Sequence, residues 1–353
     1  MILTFPKYFK KFSCIADKCT DTCCSGWDVV IDDESLEYYK NLGGDYGEKI
    51  RRLITVDEDG DSIFVSSDGR CPFLLENGLC DMYINLGHGC LSRTCRVFPR
   101  FTNSFGLRAE TGLSLSCPEA ARLIFGSSES VCFETENTDG EMIPSEFDAE
   151  LYFTMLNVRK TAINILQDRK FSVTERLRVF LRYSDRIQRC IDRDDYESAQ
   201  SANPENLFGN QANFSESDAK QAVKDIFAVF GTMEFINPDY SHILSAVETV
   251  DMQGLQTDEI LIEHLAVYFV HRYYITAVYD GEVLEKAVLA AVCTAMILRI
   301  SALGKCDFSE AAQKFSKEIE HSAVNMEILK ESIRNRSCFS VENLINILSE
   351  KEI

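Results

Sequence analysis

The first third of the chain is unusually rich in cysteine. The stretch CTDTCCSGWD, residues 19–28, holds three thiols within six positions, and Cys14 lies five residues upstream. Thiolates are soft ligands that suit zinc and iron–sulfur clusters, provided that separate loops bring them together. Nine of the 14 cysteines fall in this part of the chain: Cys14, Cys19, Cys23, Cys24, Cys71, Cys80, Cys90, Cys95 and Cys117. Their density predicts a bound metal ion or cluster.

The spacing of these cysteines does not name the metal. It reads C-x4-C-x3-C-C and, after a long gap, C-x8-C-x9-C-x4-C, followed by Cys117. It differs from the C-x2-C pairs of a zinc ribbon. It also differs from the C-x3-C-x2-C of radical S-adenosylmethionine enzymes, because position 26 is glycine. Adjacent cysteines rarely both bind one small ion, so we expect Cys23 or Cys24 to pack or to serve a second site.

The N-terminus and the apolar segments bear on the cellular compartment. MILTFPKYFKKFSC lacks a long apolar core followed by a small-residue cleavage site, so it does not predict a secretory signal. The most apolar later run, 287–298, is shorter than the ~20 residues of a membrane span. We therefore expect a cytoplasmic protein whose thiols stay reduced. The scattered cysteines are expected to be buried hydrophobes: Cys190, Cys293, Cys306 and Cys338.

A basic segment accompanies the later thiols. Residues 82–109 contain no acid but four arginines, in a chain whose net charge is −20: Arg93, Arg96, Arg100 and Arg108. These arginines can offset the charge of a thiolate cluster or hold a ligand carboxylate in bidentate fashion. Pairing with acids elsewhere in the fold is the other interpretation. The overall negative charge argues against general nucleic-acid binding, because a polyanion would be repelled.

Other familiar site patterns are weak or missing. His88 lies between glycines and fits a turn or a metal ligand, whereas His264 and His271 share one helix face and fit core or surface positions rather than a site. The chain has neither a G-x4-G-K-[ST] phosphate loop nor a G-x-S-x-G elbow. The chemistry suggested by the residues therefore rests on the thiols.

The N-terminal segments that must carry these thiols are short. Up to residue 126 the sequence predicts a helix at 32–42, and short strands within 27–32, 62–67 and 107–117. Residues 127–147 are acidic and contain turn formers, so they predict a connector. Residues 1–126 are therefore predicted to form a small, irregular Cys-rich metal-binding module.

The remainder, 148–353, predicts an α-helical domain, because apolar residues recur at helical spacing. Two helices, 258–280 and 282–303, are apolar on nearly all faces and are expected at the centre. Further helices are expected at 309–335 and 341–350, and residues 192–217 predict a polar loop. The predicted fold class is mainly α, with the Cys-rich module packed on the helical domain.

Five motifs of the N-terminal region resemble the flagellin lysine-N-methylases of the FliB family. They are F-x-C-x4-C-x-D-x-CC-x-G-W (12–27), CPFL (71–74), C-x-MY (80–83), LS-x-TCR-x-FPR (91–100) and LSCPEAARL (115–123). CPFL and CR-x-FP are also similar to zinc- or iron-chelating proteins of the YkgJ type. The stretch EHLAVYFVHRYY (263–274) loosely resembles the helical region of the FliB family.

The resemblance implies methyl transfer from S-adenosylmethionine to lysine side chains of flagellin, assisted by a Cys-ligated [4Fe-4S] cluster. The thiols that match by position are Cys14, Cys19, Cys23, Cys24, Cys71, Cys80, Cys95 and Cys117. Cys90 is additional to the motif. One cubane needs four ligands, so some of the eight are structural or two sites exist. The accompanying hypothesis is that the cluster anchors the amino and carboxylate groups of S-adenosylmethionine, with Arg93 or Arg96 nearby.

Lysine methylation also needs a neutral amine, because an ammonium has no lone pair. Burial, an aromatic wall, or a nearby acid or tyrosine must favour the neutral form over the ordinary pKa of ~10.4. The candidate tyrosines are Tyr38, Tyr39, Tyr83, Tyr273 and Tyr274, and the sequence does not choose among them. The alternative function is a non-catalytic module in which zinc or a cluster supports partner docking or redox sensing. The sequence assigns no oligomeric state.

Overall fold

The structure, a computed structural model, is mainly helical. It describes residues 1–66, 69–139, 146–209, 215–250, 252 and 258–349. Residues 140–145 of the predicted connector and 210–214 of the predicted polar loop lie outside the described residues. Across the described ranges, no helix combines the length and the apolar character needed to cross a bilayer.

The described residues form a four-stranded sheet and a separate two-stranded sheet. Their strands are β1 (Ile2–Pro6), β2 (Ile54–Val56), β3 (Ser62–Phe64), β4 (Arg100–Phe105), β5 (Arg108–Leu113) and β6 (Phe133–Asn137). The sheet has the order β4–β5–β1–β6, in which only β1 and β5 run parallel, and β2 and β3 pair separately. The predicted strand segments 62–67 and 107–117 each contain a strand. Segment 27–32 instead makes one isolated bridge, between Val30 and Ile63.

Strand β6 lies inside the segment predicted to be an acidic connector. Its sequence, FETEN, pairs antiparallel with β1, and the Lys10 ammonium reaches Glu136 at 2.5 Å. Glu134 is exposed and Glu136 is half-buried. Two of the acids that indicated a connector therefore lie on the edge strand of a sheet. The boundaries at 126 and 147 stay a prediction.

The N-terminal helices are short. They are α1 (Asp33–Asn41), α2 (Gly44–Arg52), α3 (Asp81–Leu86), α4 (Arg93–Val97) and α5 (Pro118–Phe125). The first four lie around a small apolar core, whereas α5 packs with the helical region. Asp32 caps α1, as its carboxylate accepts the Ser35 N–H at 3.1 Å. The buried members of this core, named here the N-terminal core, are Val29, Ile31, Tyr39, Ile50, Phe64, Phe73, Met82 and Leu91.

Ten longer or connecting helices follow. They are α6 (Ala149–Leu166), α7 (Val173–Ile191), α8 (Tyr196–Gln200), α9 (Glu216–Phe230), α10 (Tyr240–Val247), α11 (Glu259–Tyr273), α12 (Val283–Ala302), α13 (Phe308–Phe315), α14 (Ala323–Asn335) and α15 (Val341–Ser349). Helices α11 and α12 are buried on nearly all faces, as predicted, and α12 packs against α7 and α11. Helix α8 lies within the predicted polar loop.

Two details of α11 and α13 matter for the site. His264 and His271 of α11 are buried, and His271 Nε2 lies 3.2 Å from the Thr111 carbonyl oxygen. The helix predicted at 309–335 is interrupted, because α13 passes into a π-helical turn, Ser316–Glu320, before α14 starts. π-Helical turns inside helices are often found at functional sites.

Candidate metal centre

The thiol-rich loop of residues 19–28 is shaped by its own polar side chains. The Asp21 carboxylate accepts the Thr22 N–H at 2.7 Å, and Thr22 Oγ1 accepts the Cys24 N–H at 3.1 Å. The Cys24 carbonyl in turn accepts the Cys71 N–H at 2.8 Å. The Cys23–Cys24 pair is therefore fixed beside the CPFL segment, although the sequence separates the two by nearly fifty residues.

Two further thiols approach from the next segments. Cys80 forms an isolated bridge with Leu74, immediately before α3. Cys95 lies on α4, whose Thr94 hydroxyl donates to the Val30 carbonyl at 2.9 Å and so holds the helix against residues that follow the loop. Both thiols are half-buried against the N-terminal core. Hydrogen bonds of the backbone and of side chains thus bring three of the predicted cysteine-bearing segments together.

Several of these thiols have raised pKa values, to which the charges of other thiols contribute. Burial, with the charges of Cys24, Cys95 and Cys80, raises the pKa of Cys71 to about 12. Burial also raises the pKa of Cys95 to about 11, with further contributions from Cys24 and Cys80. The pKa of Cys80 is raised by burial and by Cys24. Cys24, Cys71, Cys80 and Cys95 are named here the first thiol set.

The other four matched thiols form a second neighbourhood. Burial raises the pKa of Cys117 to about 11, and the charges of Cys19 and Cys14 add to this. The pKa of Cys19 is raised by burial and, in part, by Cys14. The Cys23 thiol hydrogen-bonds Cys24, which raises the pKa of Cys23 and lowers that of Cys24 to about 7. Cys14, Cys19, Cys23 and Cys117, the second thiol set, therefore meet the first at the CC pair.

The chemistry of this donor set fits a soft metal or an iron–sulfur cluster. All 14 cysteines are free thiols, and the eight matched ones fall into the two neighbouring sets. Within the described ranges, however, no three Cys, His, Asp or Glu side chains have the arrangement of a metal site. The residue types and their proximity support thiolate ligation, whereas the choice of ligands stays a prediction.

Cys90, the cysteine outside the motif, is engaged differently. Its thiol donates to the Leu86 carbonyl at 3.1 Å, and its Sγ lies 3.2 Å from the Tyr38 hydroxyl. These contacts are made with α3 and α1, respectively. The Cys90 thiol can therefore serve as a control for substitutions of the eight matched cysteines.

The two arginines predicted to bind cofactor lie on the exposed side of α4. The Arg93 backbone N–H donates to Asp32 Oδ2 at 2.6 Å, and the Arg96 guanidinium donates to the Gly89 carbonyl at 3.2 Å. In the described part of the chain, neither guanidinium forms an ion pair. Both are therefore available to an anionic ligand, and their assignment stays a prediction.

The thiol loop also docks on the helical region, through contacts that sequence reasoning missed. Lys317 Nζ donates to both Asp21 carboxylate oxygens, at 2.8 and 2.9 Å, and to the Thr22 carbonyl at 3.1 Å. The Gln313 amide donates to Asp21 Oδ2 at 2.9 Å. The Lys317 ammonium lies over the Trp27 ring, 5.3 Å from its centroid. Among its effects, Lys317 lowers the pKa of Cys24.

An imidazole completes this contact. The His321 ring stacks on Trp27 with centroids 4.5 Å apart, and His321 Nε2 lies 2.5 Å from Ser116 Oγ. Burial, and then the positive charge of Arg272, lower the pKa of His321 to about 4. The ring is therefore neutral near pH 7. Trp27 of the first motif and Ser116 of the LSCPEAARL motif thus both contact His321, which follows the π-helical turn.

A buried polar group lies behind His321. The Glu320 carboxylate accepts hydrogen bonds from the hydroxyls of Tyr268, at 3.1 Å, and Tyr273, at 2.6 Å. Arg272 donates to the Tyr268 hydroxyl at 2.7 Å, and its Nε lies 3.5 Å from Glu320. Burial raises the pKa of both tyrosines. Of the five candidate tyrosines, Tyr273 is the one that this group contains.

The other candidate tyrosines have separate surroundings. The Tyr274 hydroxyl lies 2.9 Å from Ser184 Oγ inside the helical core. The Tyr39 hydroxyl donates to the Cys90 carbonyl at 2.7 Å, and Tyr38 contacts the thiol of the same residue. Tyr83 is exposed. Sequence type alone could not separate these five, because their roles depend on contacts between distant segments.

Comparison with known proteins finds similarity to one family. Residues 205–347 match the family described as the FliB lysine N-methylase C-terminal domain. A lysine-N-methylase of Salmonella typhimurium is 29% identical over 141 residues, which cover 36% of this chain and 34% of that protein. The flagellar biosynthetic protein FliU of Salmonella muenchen is 29% identical over 141 residues, or 36% of this chain and 80% of that protein.

A lysine-N-methylase of Salmonella choleraesuis shows the same 29% identity over 141 residues and is likewise covered over 34% of its length. The chain thus spans about a third of the lysine-N-methylases that it matches. No solved structure matches it significantly. The part of the chain that carries Lys317, Glu320 and His321 lies within the matched family domain. These findings confirm the resemblance of this chain to the FliB family of lysine N-methylases.

Proposed function

We propose that this protein transfers methyl groups from S-adenosylmethionine to lysine side chains of flagellin in the cytoplasm, with the help of a Cys-ligated [4Fe-4S] cluster. The observation that carries the proposal is the match of residues 205–347 to the FliB C-terminal domain, in a chain that also contains two neighbouring thiol sets. The names of the matched relatives support lysine methylation as the reaction.

The first thiol set is the better candidate for the cluster ligands. Cys71, Cys80 and Cys95 share the N-terminal core, and Cys24 is bonded to Cys71 through the backbone. A cluster held by three of these four thiols would leave one iron open, able to coordinate the amino and carboxylate groups of S-adenosylmethionine. The exposed guanidiniums of Arg93 and Arg96 would then bind a carboxylate or offset the negative charge of the thiolates.

The chain must also favour a neutral substrate amine. The buried Glu320 carboxylate accepts hydrogen bonds from the Tyr268 and Tyr273 hydroxyls. The adjoining His321 has a pKa lowered to about 4, so its ring is neutral near pH 7 but is a weak base towards an ammonium of pKa ~10.4. We therefore propose that burial of the substrate amine, rather than proton transfer to His321, favours its neutral form.

The test is a methylation assay with purified protein. Flagellin is incubated with this protein, after anaerobic reconstitution with iron and sulfide, and with methyl-labelled S-adenosylmethionine. Label on flagellin lysines supports the proposal. No label with any preparation would contradict the proposed activity.

The alternative, a non-catalytic metal-binding module, is favoured by one observation. The first thiol set belongs to residues 24–95, whereas the matched family domain begins at residue 205. Metal could therefore serve folding or partner docking alone. Stoichiometric zinc in a colourless protein that does not label flagellin would favour this alternative, whereas iron and acid-labile sulfide in a protein that does label it would exclude it.

A further inference from the structure

Lys317 of the π-helical turn and Gln313 of α13 hold the thiol loop through Asp21 and Thr22, and these contacts are named here the clamp. Lys317 uses all three ammonium donors on the loop, two on Asp21 and one on the Thr22 carbonyl, and its side chain is only 11% exposed. Gln313, one turn earlier, donates to Asp21 and to the Ser116 carbonyl, both at 2.9 Å. This side chain thereby ties the loop to the segment that precedes Cys117.

The clamp acts on the residues that set the loop conformation. The same Asp21 carboxylate that receives Lys317 also accepts the Thr22 N–H, and Thr22 orients Cys24 through its hydroxyl. An isolated surface ion pair contributes only about 0–1 kcal/mol. The Lys317–Asp21 pair differs in three respects. Its side chains are only 11% and 31% exposed, the ammonium contacts both carboxylate oxygens, and it lies over the Trp27 ring. Losing one partner would leave the other in a poorly hydrated position.

A second close approach reinforces the docking. A Cβ on Gly26 would lie 2.6 Å from Ile236 Cγ2 and 3.5 Å from Lys317 Cε, so the loop backbone passes directly against the helical region. The Ile236 backbone N–H is itself held by Glu318 of the π-helical turn, at 2.7 Å. The loop is therefore seated on a surface that the π-helical turn organises.

We propose that Lys317 and Gln313 are positioning residues that hold the 19–24 loop in its metal-binding conformation, so that metal retention by the thiols depends on the FliB-like helical domain. This rests on the metal-binding part of the proposed function. The chemical class of the bound group, a thiolate-ligated metal or iron–sulfur cluster, is unchanged. What is new is the link between that group and residues nearly three hundred positions away.

The test compares Lys317→Gln and Gln313→Ala with Lys317→Arg and with the matched control Lys314→Gln. Lys314 lies on α13 beside Gln313, is half exposed and forms an ion pair with Glu310, whereas Asp21 acts on it only as a weaker, more distant charge. Metal content and the rate of metal release to a chelator are measured on full-length protein whose helical circular dichroism is unchanged. We expect severalfold faster release for Lys317→Gln and Gln313→Ala, wild-type release for Lys314→Gln, and partial recovery for Lys317→Arg.

A metal-free readout keeps the clamp separate from the proposed function. Alkylation of Cys19, Cys23 and Cys24 by iodoacetamide is followed by peptide mass spectrometry, with Cys132 as the exposed reference. Lys317→Gln and Asp21→Asn should each accelerate alkylation of the three loop thiols, and the double variant should add little more. Unchanged rates would overturn the clamp. If the wild-type protein binds no metal but the variants still show this acceleration, the proposed metal site is contradicted and the clamp stays supported.

Discussion

Trp27 and His321 stack with ring centroids 4.5 Å apart and planes inclined by 17°, although the loop of one and the helix junction of the other are at opposite ends of the sequence. His321 also contacts Ser116 of the LSCP motif. One ring therefore joins two cysteine motifs to the family-matched domain. Its burial and its neutral charge follow from the same contacts.

Acid should weaken this junction. The pKa of His321 is lowered from 6.5 to about 4, so between these values the unfolded chain binds the extra proton and the folded chain does not. Stability should therefore fall as the pH drops from about 6.5 towards 4, by up to about 3 kcal/mol for one fully shifted group. Denaturant unfolding at several pH values measures this slope. His321→Asn should reduce the slope without abolishing it, because burial also lowers the pKa of His271 to about 4. The exposed His242→Asn should leave the slope unchanged, and an unaltered slope in His321→Asn would argue against a buried neutral ring.

The thiol sets predict a selective effect of cysteine substitution. Cys71→Ser or Cys95→Ser should remove most of the bound metal, because each deletes a soft ligand of the first thiol set. Cys90→Ser should retain it, since that thiol bonds Leu86 and Tyr38 instead. Iron, sulfide and zinc determination on anaerobically purified protein provides the measurement. Equal metal loss in Cys90→Ser would show that the matched motif does not define the site.

The helical region depends on a buried ion-pair group. Glu263 is fully buried and accepts hydrogen bonds from Arg169, at 2.8 and 2.9 Å, and from Arg176, at 2.7 Å. Glu263→Gln leaves the buried Arg176 poorly compensated and should cost roughly 3–5 kcal/mol of unfolding free energy. Glu310→Gln, which removes an exposed pair with Lys314, should cost about 0–1 kcal/mol. Urea unfolding distinguishes the two, and equal losses would count against the buried group.

Gly26 provides a test of the loop geometry. Its φ of +105° is disfavoured for other residues, and an added Cβ would overlap Ile236. Gly26→Ala should therefore destabilise the protein by about 1–3 kcal/mol. Gly89→Ala meets no atom within 4 Å and should be nearly neutral. Thermal unfolding of both variants gives the comparison, in which a neutral Gly26→Ala would mean that the loop is not seated on Ile236.

The sequence was informative where a local pattern determines structure. Apolar spacing predicted the buried helices α11 and α12, because this feature depends on residues a few positions apart. Strand β6 was missed because its exposed acids resemble a connector and its pairing with β1 is long-range. The π-helical turn was missed because its residues continue the helical pattern of the predicted helix at 309–335.

The candidate site divides in a similar way. Cysteine density and motif order pointed to the thiols, since ligand chemistry is a property of residue type. Their arrangement into two sets depends on the backbone bond between Cys24 and Cys71 and on the bridge at Cys80, which no spacing encodes. Lys317 carries no local signal at all, because its partner Asp21 is 296 residues away.

The most direct test of the central proposal is the mass of flagellin produced in cells together with this protein. Intact-mass and peptide mass spectrometry should show mass steps of one methyl group on flagellin lysines. Those steps should disappear with the Cys71→Ser variant and persist with Cys90→Ser. Flagellin that stays unmethylated beside folded, metal-loaded protein would contradict the proposed function.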